Sequence, residues 1–316
     1  MTLEDVEHMG QLGTDCIATI GMFDGVHRGH RVVLGTLLTE AERRGLQPVV
    51  ITFDRHPRHV IEGNTSQLCL LSTLEERLAL IEQCGVHRVA MVHFTRELAA
   101  LSACEFCRRF LSQGVRALLL GYDNMFGSKQ HNDFEALPDL ARTMRMELLR
   151  AAPLVVDGLE VSSTRVRKAL QQGDVEEAER LLGRPYRLSG TVVHGREVGR
   201  RMGFPTANVA ISGDHMQLPA AGAYVVGVRL NGGEPLVGMA HLGTLPTFDI
   251  DSFGFEIHLL DYDADLYGQQ LQVDFLHRLR PVQRFDSERE LHAQLQQDVA
   301  QTRALAARRE GGVLLH

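Results

Sequence analysis

The first half of the chain alternates two kinds of segment. Short runs of β-branched and other apolar residues predict strands that are buried on both faces, and they lie at residues 16–20, 49–53, 89–92 and 115–120. Between them, residues 31–44, 74–84 and 102–113 have helical periodicity, and a glycine that can end a helix follows each one. This alternation predicts a mostly parallel sheet with helices on both faces.

The pattern changes after Leu149. Residues 162–172 and 174–182 predict two short helices, and Asp174 suits the start of the second. From residue 186 to 275 the helical period gives way to short alternating runs divided by Gly and Pro, which predict a small antiparallel barrel or sandwich. Residues 287–309 predict a long amphipathic helix. We place the domain boundary near residue 183, which divides the chain into residues 1–183 and 184–316.

Composition excludes several functions. Lysine occurs only at Lys129 and Lys168, and neither lies in a Gly-x-x-x-x-Gly-Lys-Ser/Thr phosphate loop, so this chain would bind ATP by another route. The net charge of −7 disfavours broad nucleic-acid binding. No stretch approaches the roughly 18 consecutive apolar residues of a membrane helix, and the acidic N-terminus does not resemble a secretory signal.

The five cysteines are an odd number, which favours reduced thiols and a cytoplasmic location over a disulfide framework. Cys104 and Cys107 form a C-x-x-C in a predicted helix that begins at Ser102. No second cysteine pair completes a zinc site, so packing is the favoured interpretation and metal or redox chemistry the alternative.

The segment GMFDGVHRGH joins the first strand to its helix. Its glycines permit tight turns, and His27 and His30 are three residues apart, on one helical face. Helix N-termini attract phosphates, and two imidazoles would add donors where negative charge develops in a transition state. The segment therefore predicts a phosphate site, with solvated or metal-binding histidines as the alternative.

Two further motifs of the first half favour ligand binding. Asp123 follows the strand at 115–120, and ligands bind at the carboxyl ends of strands in such sheets. In SSTRVRKAL, Ser162, Ser163 and Thr164 can donate to phosphate oxygens, and arginines add fixed charge. The alternatives are a turn-forming aspartate and an ordinary helix cap.

The second half contains GTVVHGREVGRRMGFPTANV. Its glycines and arginines suit close approach of the backbone to phosphate, and Thr206 and Asn208 present oxygens on one side of an extended segment. Such oxygens are hard ligands that suit Mg²⁺ beside ATP phosphates. Glu256, between Phe255 and Ile257, is a candidate general base. A turn with a polar strand edge, and a solvated strand face, are the alternatives.

Together, H-x-G-H, TFDRHPR, GYDNMFG and SSTRVR resemble the adenylyltransferase module of bacterial bifunctional riboflavin kinase/FAD synthetases. The resemblance implies a Rossmann-like nucleotidyltransferase domain in which the FMN phosphate attacks the α-phosphate of ATP, giving FAD and pyrophosphate. His27 and His30 would stabilise the transition state. The flavin would be bound by Asp123 and Phe126, and ATP by Gly21, Phe23, Asp24, Gly25, Ser163, Thr164 and Arg167.

The motifs GFPTAN, GAYVVGV, LGTLPTF and E-x-H-L-L-D are similar to the riboflavin kinase module, a small β-barrel followed by a long helix. The resemblance implies transfer of the ATP γ-phosphate to the 5′-hydroxyl of riboflavin, with Glu256 as general base. Thr206 and Asn208 would bind Mg²⁺, and the phosphate-binding residues would be Gly195, Gly199, Arg200 and Gly203. The two resemblances cover residues 16 to 305 in the family's order.

Several positions depart from the family pattern, namely Arg55, Asn124, Gln130, Asn132, His241 and Val282. They leave two alternatives: only one module is active, or the protein binds flavin or nucleotide without catalysis. Class I aminoacyl-tRNA synthetases also contain an H-x-G-H-like signature, but two lysines and the negative charge disfavour that assignment. The expected substrates are riboflavin, FMN and ATP, with neither a nucleic acid nor a membrane as partner.

Overall fold

Six parallel strands form the sheet of the N-terminal half, namely β1 (Thr2–Asp5), β2 (Cys16–Ile20), β3 (Gln47–Phe53), β4 (Arg88–Val92), β5 (Val115–Leu120) and β6 (Glu147–Arg150), in the order β1-β4-β3-β2-β5-β6. The computed structural model describes residues 1–5, 15–63, 66–111, 114–121, 134–195, 203–245 and 250–310. The chain divides into two compact units, Met1–Ser163 and Thr164–His316.

Helices cover both faces of this sheet, as the alternating pattern predicts. They are α1 (Arg28–Arg44), α2 (Pro57–Glu62), α3 (Leu74–Gln83), α4 (Arg96–Ala100), α5 (Ala103–Phe110) and α6 (Leu137–Thr143). Successive strand residues enter different cores: Ile17 packs with α1 and α3, whereas Ala18 packs with α5 and α6. Both faces of the sheet are therefore apolar, and each core helix packs one apolar stripe against one of them.

The strand order places a topological switch beside β2. The chain passes from β2 through α1 to β3 on one side, whereas β5 pairs with β2 on the other side. In open parallel sheets, ligands bind in the crevice at the carboxyl ends of strands at such a point. The GMFDGVHRGH segment follows β2 directly, so it begins at this crevice.

Local signals place some helix ends correctly, but α1 begins at Arg28, before the predicted residue 31, and α5 ends at Phe110, before the predicted residue 113. Gly45 ends α1 at φ 63°, and Ser102 with Glu105 forms a reciprocal capping box at the start of α5. Within α5, Cys107 is fully buried and Cys104 is nearly so, in the core that includes Cys16, in line with packing. The short elements β1, β6, α2, α4 and α6 are absent from the sequence prediction, because each is too short for a clear period.

The C-terminal unit contains a closed six-stranded antiparallel barrel, so the barrel is the correct choice between barrel and sandwich. A small hairpin, β7 (Val155–Val156) and β8 (Leu159–Glu160), precedes the helices α7 (Ser163–Gln172) and α8 (Val175–Leu182). The barrel strands are β9 (Tyr186–Val193), β10 (Ala207–Ile211), β11 (Gly222–Leu230), β12 (Pro235–Leu245), β13 (Ile250–Leu259) and β14 (Gln270–Pro281), in the closed order β10-β13-β12-β11-β14-β9. Buried rings of Tyr224, Phe255 and Phe275 pack together in this unit.

The long helix α9 (Glu288–Glu310) follows the barrel, as predicted. Arg280 at the end of β14 donates to both carboxylate oxygens of Asp298 on α9, and the side chain of Asp298 is only 3% exposed. Arg280 therefore has an ionic partner on α9, although Val282, two residues further on and one of the departures from the family pattern, has no charge. Among the residues that the structure describes, no helix is both long and apolar enough to span a membrane.

Replacing Asp298 with Asn should destabilise the C-terminal unit by about 2 kcal/mol, since it leaves a largely buried guanidinium without its counter-charge. The matched control is Asp261→Asn, which removes the similar but exposed pair of Asp261 with Arg303 of α9. That change should have little effect, because exposed ion pairs contribute little. Denaturant unfolding of both variants checks the prediction, and equal losses would contradict it.

Candidate active sites

The turn after β2 has an unusual backbone. Phe23 (φ 50°) and Val26 (φ 39°) both occupy the left-handed region, where non-glycine residues are uncommon, and Gly25 (φ 75°) lies between them. Such conformations cost about 1–3 kcal/mol each and persist where the surroundings fix them. We call residues 21–26 the phosphate turn, after the ligand that the sequence predicts for this segment.

Long-range hydrogen bonds hold the phosphate turn. The buried carboxylate of Asp24 accepts from the backbone N–H groups of Leu71 (2.9 Å) and Ser72 (3.3 Å) through one oxygen. The Ser72 hydroxyl accepts from the N–H of Gly25 at 3.0 Å, and the Ser163 hydroxyl donates to the carbonyl of Asp24 at 3.1 Å. Asp24 therefore anchors the turn to a segment 47 residues away.

His27 and His30 begin helix α1 as a stacked pair. Their ring centroids are 3.6 Å apart, with 16° between the planes. His27 is 5% exposed, and its Nδ1 accepts from the backbone N–H of His30 at 3.2 Å. Because Nδ1 is an acceptor, the neutral ring has its proton on Nε2. His27 therefore caps the start of the helix.

Glycine fits closely between the two histidines. A Cβ added at Gly29 would lie 3.0 Å from the carbonyl oxygen of Val161 and 3.1 Å from the His27 ring. A Cβ at Gly21 would lie 3.0 Å from the Phe23 ring. The small residues of the motif therefore give room to the side chains beside them.

The structure brings together most of the residues predicted for the first site, namely Gly21, Phe23, Asp24, Gly25, His27, His30 and Ser163. Thr164 and Arg167 follow Ser163 on α7 and belong to the second unit. The predicted flavin-binding residues Asp123 and Phe126 lie outside the described residues, as do Asn124, Gln130 and Asn132. Arg55 is largely exposed, next to Asp54 at the end of β3.

Sequence reasoning missed Ser72 and Arg77, which both contact the phosphate turn. Arg77 is 3% exposed and donates to the carbonyl of Met22. A signal for Arg77 exists in the sequence, because it lies on the same face of α3 as the buried Leu78 and Ile81. Ser72 offers no local signal, since its partner is distant in the chain.

A second polar cluster lies on the barrel and contains the predicted Mg²⁺ ligands Thr206 and Asn208 and the predicted base Glu256. Asn208 on β10 pairs directly with Glu256 on β13, so their side chains share a face. The Thr206 hydroxyl donates to the Glu256 carboxylate at 3.4 Å. We call Thr206, Asn208 and Glu256 the barrel triad.

Burial raises the pKa of Glu256 above its ordinary value, and the hydrogen bond from Thr206 opposes this in part. A raised pKa suits a carboxylate that must accept a proton during a reaction. His241 on β12 pairs with Glu256 from the other side. His241, one of the positions that depart from the family pattern, therefore lies beside the candidate base.

A glycine again makes room for a functional side chain. A Cβ at Gly195 would lie 1.9 Å from Nδ2 of Asn208, so only glycine leaves that amide in place. Gly203, the first residue of the GFPTAN segment, has φ 78° and lies in the left-handed region. The predicted phosphate-binding residues Gly199 and Arg200 lie outside the described residues.

A cavity of about 600 Å³ lies next to Thr206. Its walls include Val192, Pro205, Leu259, Tyr262 and Tyr267. The Tyr267 ring stacks on His194, with centroids 3.9 Å apart. Asp263 and Asp265 also line it, so aromatic, apolar and charged groups share its walls. A cavity that combines aromatic rings with a few polar groups is a common form of small-molecule site.

Comparison with known proteins places two families on this chain. Residues 11–165 match a family described as FAD synthetase, and residues 182–306 match one described as riboflavin kinase. The bifunctional riboflavin kinase/FMN adenylyltransferase of Pseudomonas fluorescens is 40% identical over 310 residues, which cover 95% of this chain and 94% of that protein. The enzyme of the same description from Escherichia coli K12 is 39% identical, with 90% of each chain covered.

A solved structure shares this fold over nearly the whole chain. It is a crystal structure described as a macrolide-efflux protein from Streptococcus pneumoniae, with a TM-score of 0.86 and 31% identity. The similarity covers 96% of this chain and 99% of that one.

Proposed function

Because this chain belongs to the family of bifunctional riboflavin kinase/FMN adenylyltransferases, we propose that it converts riboflavin to FAD in two ATP-dependent steps. In the first step riboflavin and ATP give FMN and ADP. In the second step FMN and ATP give FAD and pyrophosphate. The observation that carries this proposal is that each family segment holds its own preorganised polar site, the phosphate turn with its histidines in one and the barrel triad in the other.

We assign FAD formation to the phosphate turn and helix α1. An oxygen of the FMN phosphate forms a bond to the α-phosphorus of ATP, and the bond from that phosphorus to the bridging oxygen breaks as pyrophosphate leaves. Nε2 of His27, the ring of His30 and the N-terminus of α1 stabilise the negative charge that develops. Gly21, Phe23, Gly25, Ser163, Thr164 and Arg167 bind the ATP phosphates, and Asp24 holds the turn. Asp123 and Phe126 bind the flavin.

We assign FMN formation to the barrel triad. The Glu256 carboxylate accepts the proton of the 5′-hydroxyl as that oxygen bonds to the γ-phosphorus of ATP and ADP leaves. We place the base of the nucleotide in the cavity beside Thr206, where the rings of Tyr262 and Tyr267 suit a base. Gly195, Gly199, Arg200 and Gly203 border the phosphates.

The donor set of the triad suits Mg²⁺. Thr206 offers a hydroxyl and Asn208 an amide oxygen, both hard oxygen ligands, beside one carboxylate. Among the described residues, no group of three or more His, Cys, Asp or Glu side chains gathers as a metal site. A cation with few protein ligands, completed by phosphate oxygens, is the usual arrangement for Mg²⁺ with ATP. When bound, the ion would neutralise charge on the transferring phosphate.

The two half-reactions are tested separately. Purified protein with Mg²⁺ is given either riboflavin and ATP or FMN and ATP, and the products are quantified with their ADP or pyrophosphate. We expect one ADP for each FMN and one pyrophosphate for each FAD. A protein that completes only one half-reaction has a single active module, and one that binds flavin without turnover is not an enzyme.

Two glycines of helix α1 provide a matched pair of variants. Gly29→Ala puts a Cβ 3.0 Å from the Val161 carbonyl oxygen and 3.1 Å from the His27 ring, so these neighbours must shift by a few tenths of an ångström. We expect FAD formation from FMN to slow about tenfold, the scale of a misplaced catalytic group. Gly35→Ala meets no atom within 4 Å and should leave that rate unchanged. Gly35→Ala should also stabilise the exposed helix position by about 1 kcal/mol.

The measurement is the initial rate of FAD formation together with thermal unfolding for both variants. A wild-type rate in Gly29→Ala would show that the contact between residue 29 and the His27 ring does not control the reaction. An equal loss in both variants would assign the effect to the helix as a whole.

A further inference from the structure

A buried guanidinium lies directly behind the phosphate turn. Arg77 of α3 is 3% exposed, yet an arginine is almost never fully buried without partners. Its Nη2 donates to the carbonyl of Phe53 at 2.6 Å, and its Nη1 donates to the carbonyl of Met22 at 3.2 Å. One side chain therefore bonds two backbone carbonyls that are far apart in sequence.

These two carbonyls lie at the carboxyl ends of two neighbouring strands, where the chain continues into the candidate site. Phe53 is the last residue of β3, and Met22 is the second residue after β2, inside the phosphate turn. The Thr52 hydroxyl donates to the same Met22 carbonyl at 3.4 Å. Arg77 thus joins the end of β3 to the strained turn that leads to His27.

The burial of this charge is costly for the fold. Among the described residues, no carboxylate is close enough to Arg77 to form an ion pair. The oxygen atoms that accept hydrogen bonds from Arg77 are backbone carbonyls. Burial lowers the pKa of Arg77 to about 10, and the more distant charges of Asp24 and Asp54 oppose this. An apolar side chain on this face of α3 would avoid the cost, so stability alone does not account for an arginine here.

We propose that Arg77 is a positioning residue for FAD formation, which fixes Met22 against the end of β3 so that the phosphate turn aims His27 and His30 at ATP. This proposal rests on the assignment of FAD formation to that turn. A guanidinium suits the task because its planar fork directs two charge-assisted donors to two acceptors at once. An ammonium has all its N–H groups on one nitrogen, and a thioether offers no N–H.

The test uses the full-length protein with two substitutions of Arg77. Arg77→Met keeps an unbranched side chain but removes both donors, and we expect kcat for FAD formation from FMN to fall at least about tenfold with a smaller change in the KM for ATP. Arg77→Lys keeps the charge and one donor, so its kcat should lie between Arg77→Met and the wild type. Riboflavin phosphorylation should remain unchanged in both variants.

Ile81→Val is the matched control. Ile81 is fully buried one turn further along α3, in a core that also contains Phe23 and Val26. Its truncation costs about 1 kcal/mol but removes no hydrogen bond to the phosphate turn. We expect Ile81→Val to keep the wild-type kcat, and thermal unfolding shows that each variant is folded at the assay temperature. The same kcat loss in Ile81→Val would overturn the proposal, because it would assign the effect to stability alone.

The remaining outcomes are equally decisive. A folded Arg77→Met protein with wild-type kcat would overturn the proposal. If Arg77→Met does not fold, wild-type kcat in Arg77→Lys would overturn it, since a single nitrogen would then suffice. A wild-type protein that forms no FAD would instead contradict the proposed function, so the two failures are distinguishable.

Discussion

A protein with His27→Asn and His30→Ala should form FAD from FMN about a hundredfold more slowly than the wild type, while it phosphorylates riboflavin at the wild-type rate. The stacked imidazoles are the donors that the phosphate turn presents at the start of α1, and Nε2 of His27 is directed by the bond that its Nδ1 accepts. Asparagine at position 27 is among the best helix-capping residues, so the variant keeps the start of α1 while it loses both rings.

The measurement is a pair of initial rates, FAD from FMN and FMN from riboflavin, on the same preparation. His87→Ala is the control, because the His87 side chain is 74% exposed and lies outside both sites. We expect the control to match the wild type in both reactions. Undiminished FAD formation in the double variant would remove the histidines from the mechanism, and loss of both reactions would contradict separate sites.

Glu256→Gln should reduce riboflavin phosphorylation by about a thousandfold and leave FAD formation from FMN intact. Glutamine fills the same volume and can still accept the hydrogen bond from Thr206, but it cannot take a proton from the 5′-hydroxyl. The effect therefore reports the base and not the packing of the barrel. Substantial phosphorylation by the folded variant would exclude Glu256 as the base.

Glu234→Gln, an exposed position before β12, is the matched control and should keep both activities. A pH series gives a second readout. Burial raises the pKa of Glu256, and only the ionised carboxylate can accept a proton. The wild-type phosphorylation rate should therefore fall as the pH falls through that raised pKa, and the residual rate of Glu256→Gln should not show this acid limb.

Periodicity predicts those parts of the fold whose secondary structure is determined by local sequence. The apolar runs and terminal glycines of the first half suffice for a parallel sheet covered on both faces, because strand burial and helix caps are local properties. Barrel and sandwich share one alternating pattern, so the sequence left them open. The choice depends on the pairing of β9 with β10, which closes the sheet.

The candidate sites likewise contain residues that local motifs predict and contacts that only the folded chain creates. Contiguous motifs bring His27 and His30 together, and strand spacing puts Thr206 and Asn208 on one side. The contacts of Asp24 with the Leu71–Ser72 backbone and of Arg77 with Met22 connect residues about 50 positions apart, which no local pattern encodes. The place of His241 opposite Glu256 depends on strand register, which becomes visible only when the barrel is formed. Asp123 and Phe126 remain predictions.

The most direct test of the two-site account is one incubation of the purified protein with riboflavin, ATP and Mg²⁺, in which riboflavin, FMN and FAD are separated and measured over time. The account predicts that FMN appears first and then declines as FAD accumulates, so that one chain completes both steps. FMN that accumulates without FAD, or riboflavin that stays unchanged while added FMN becomes FAD, would contradict it.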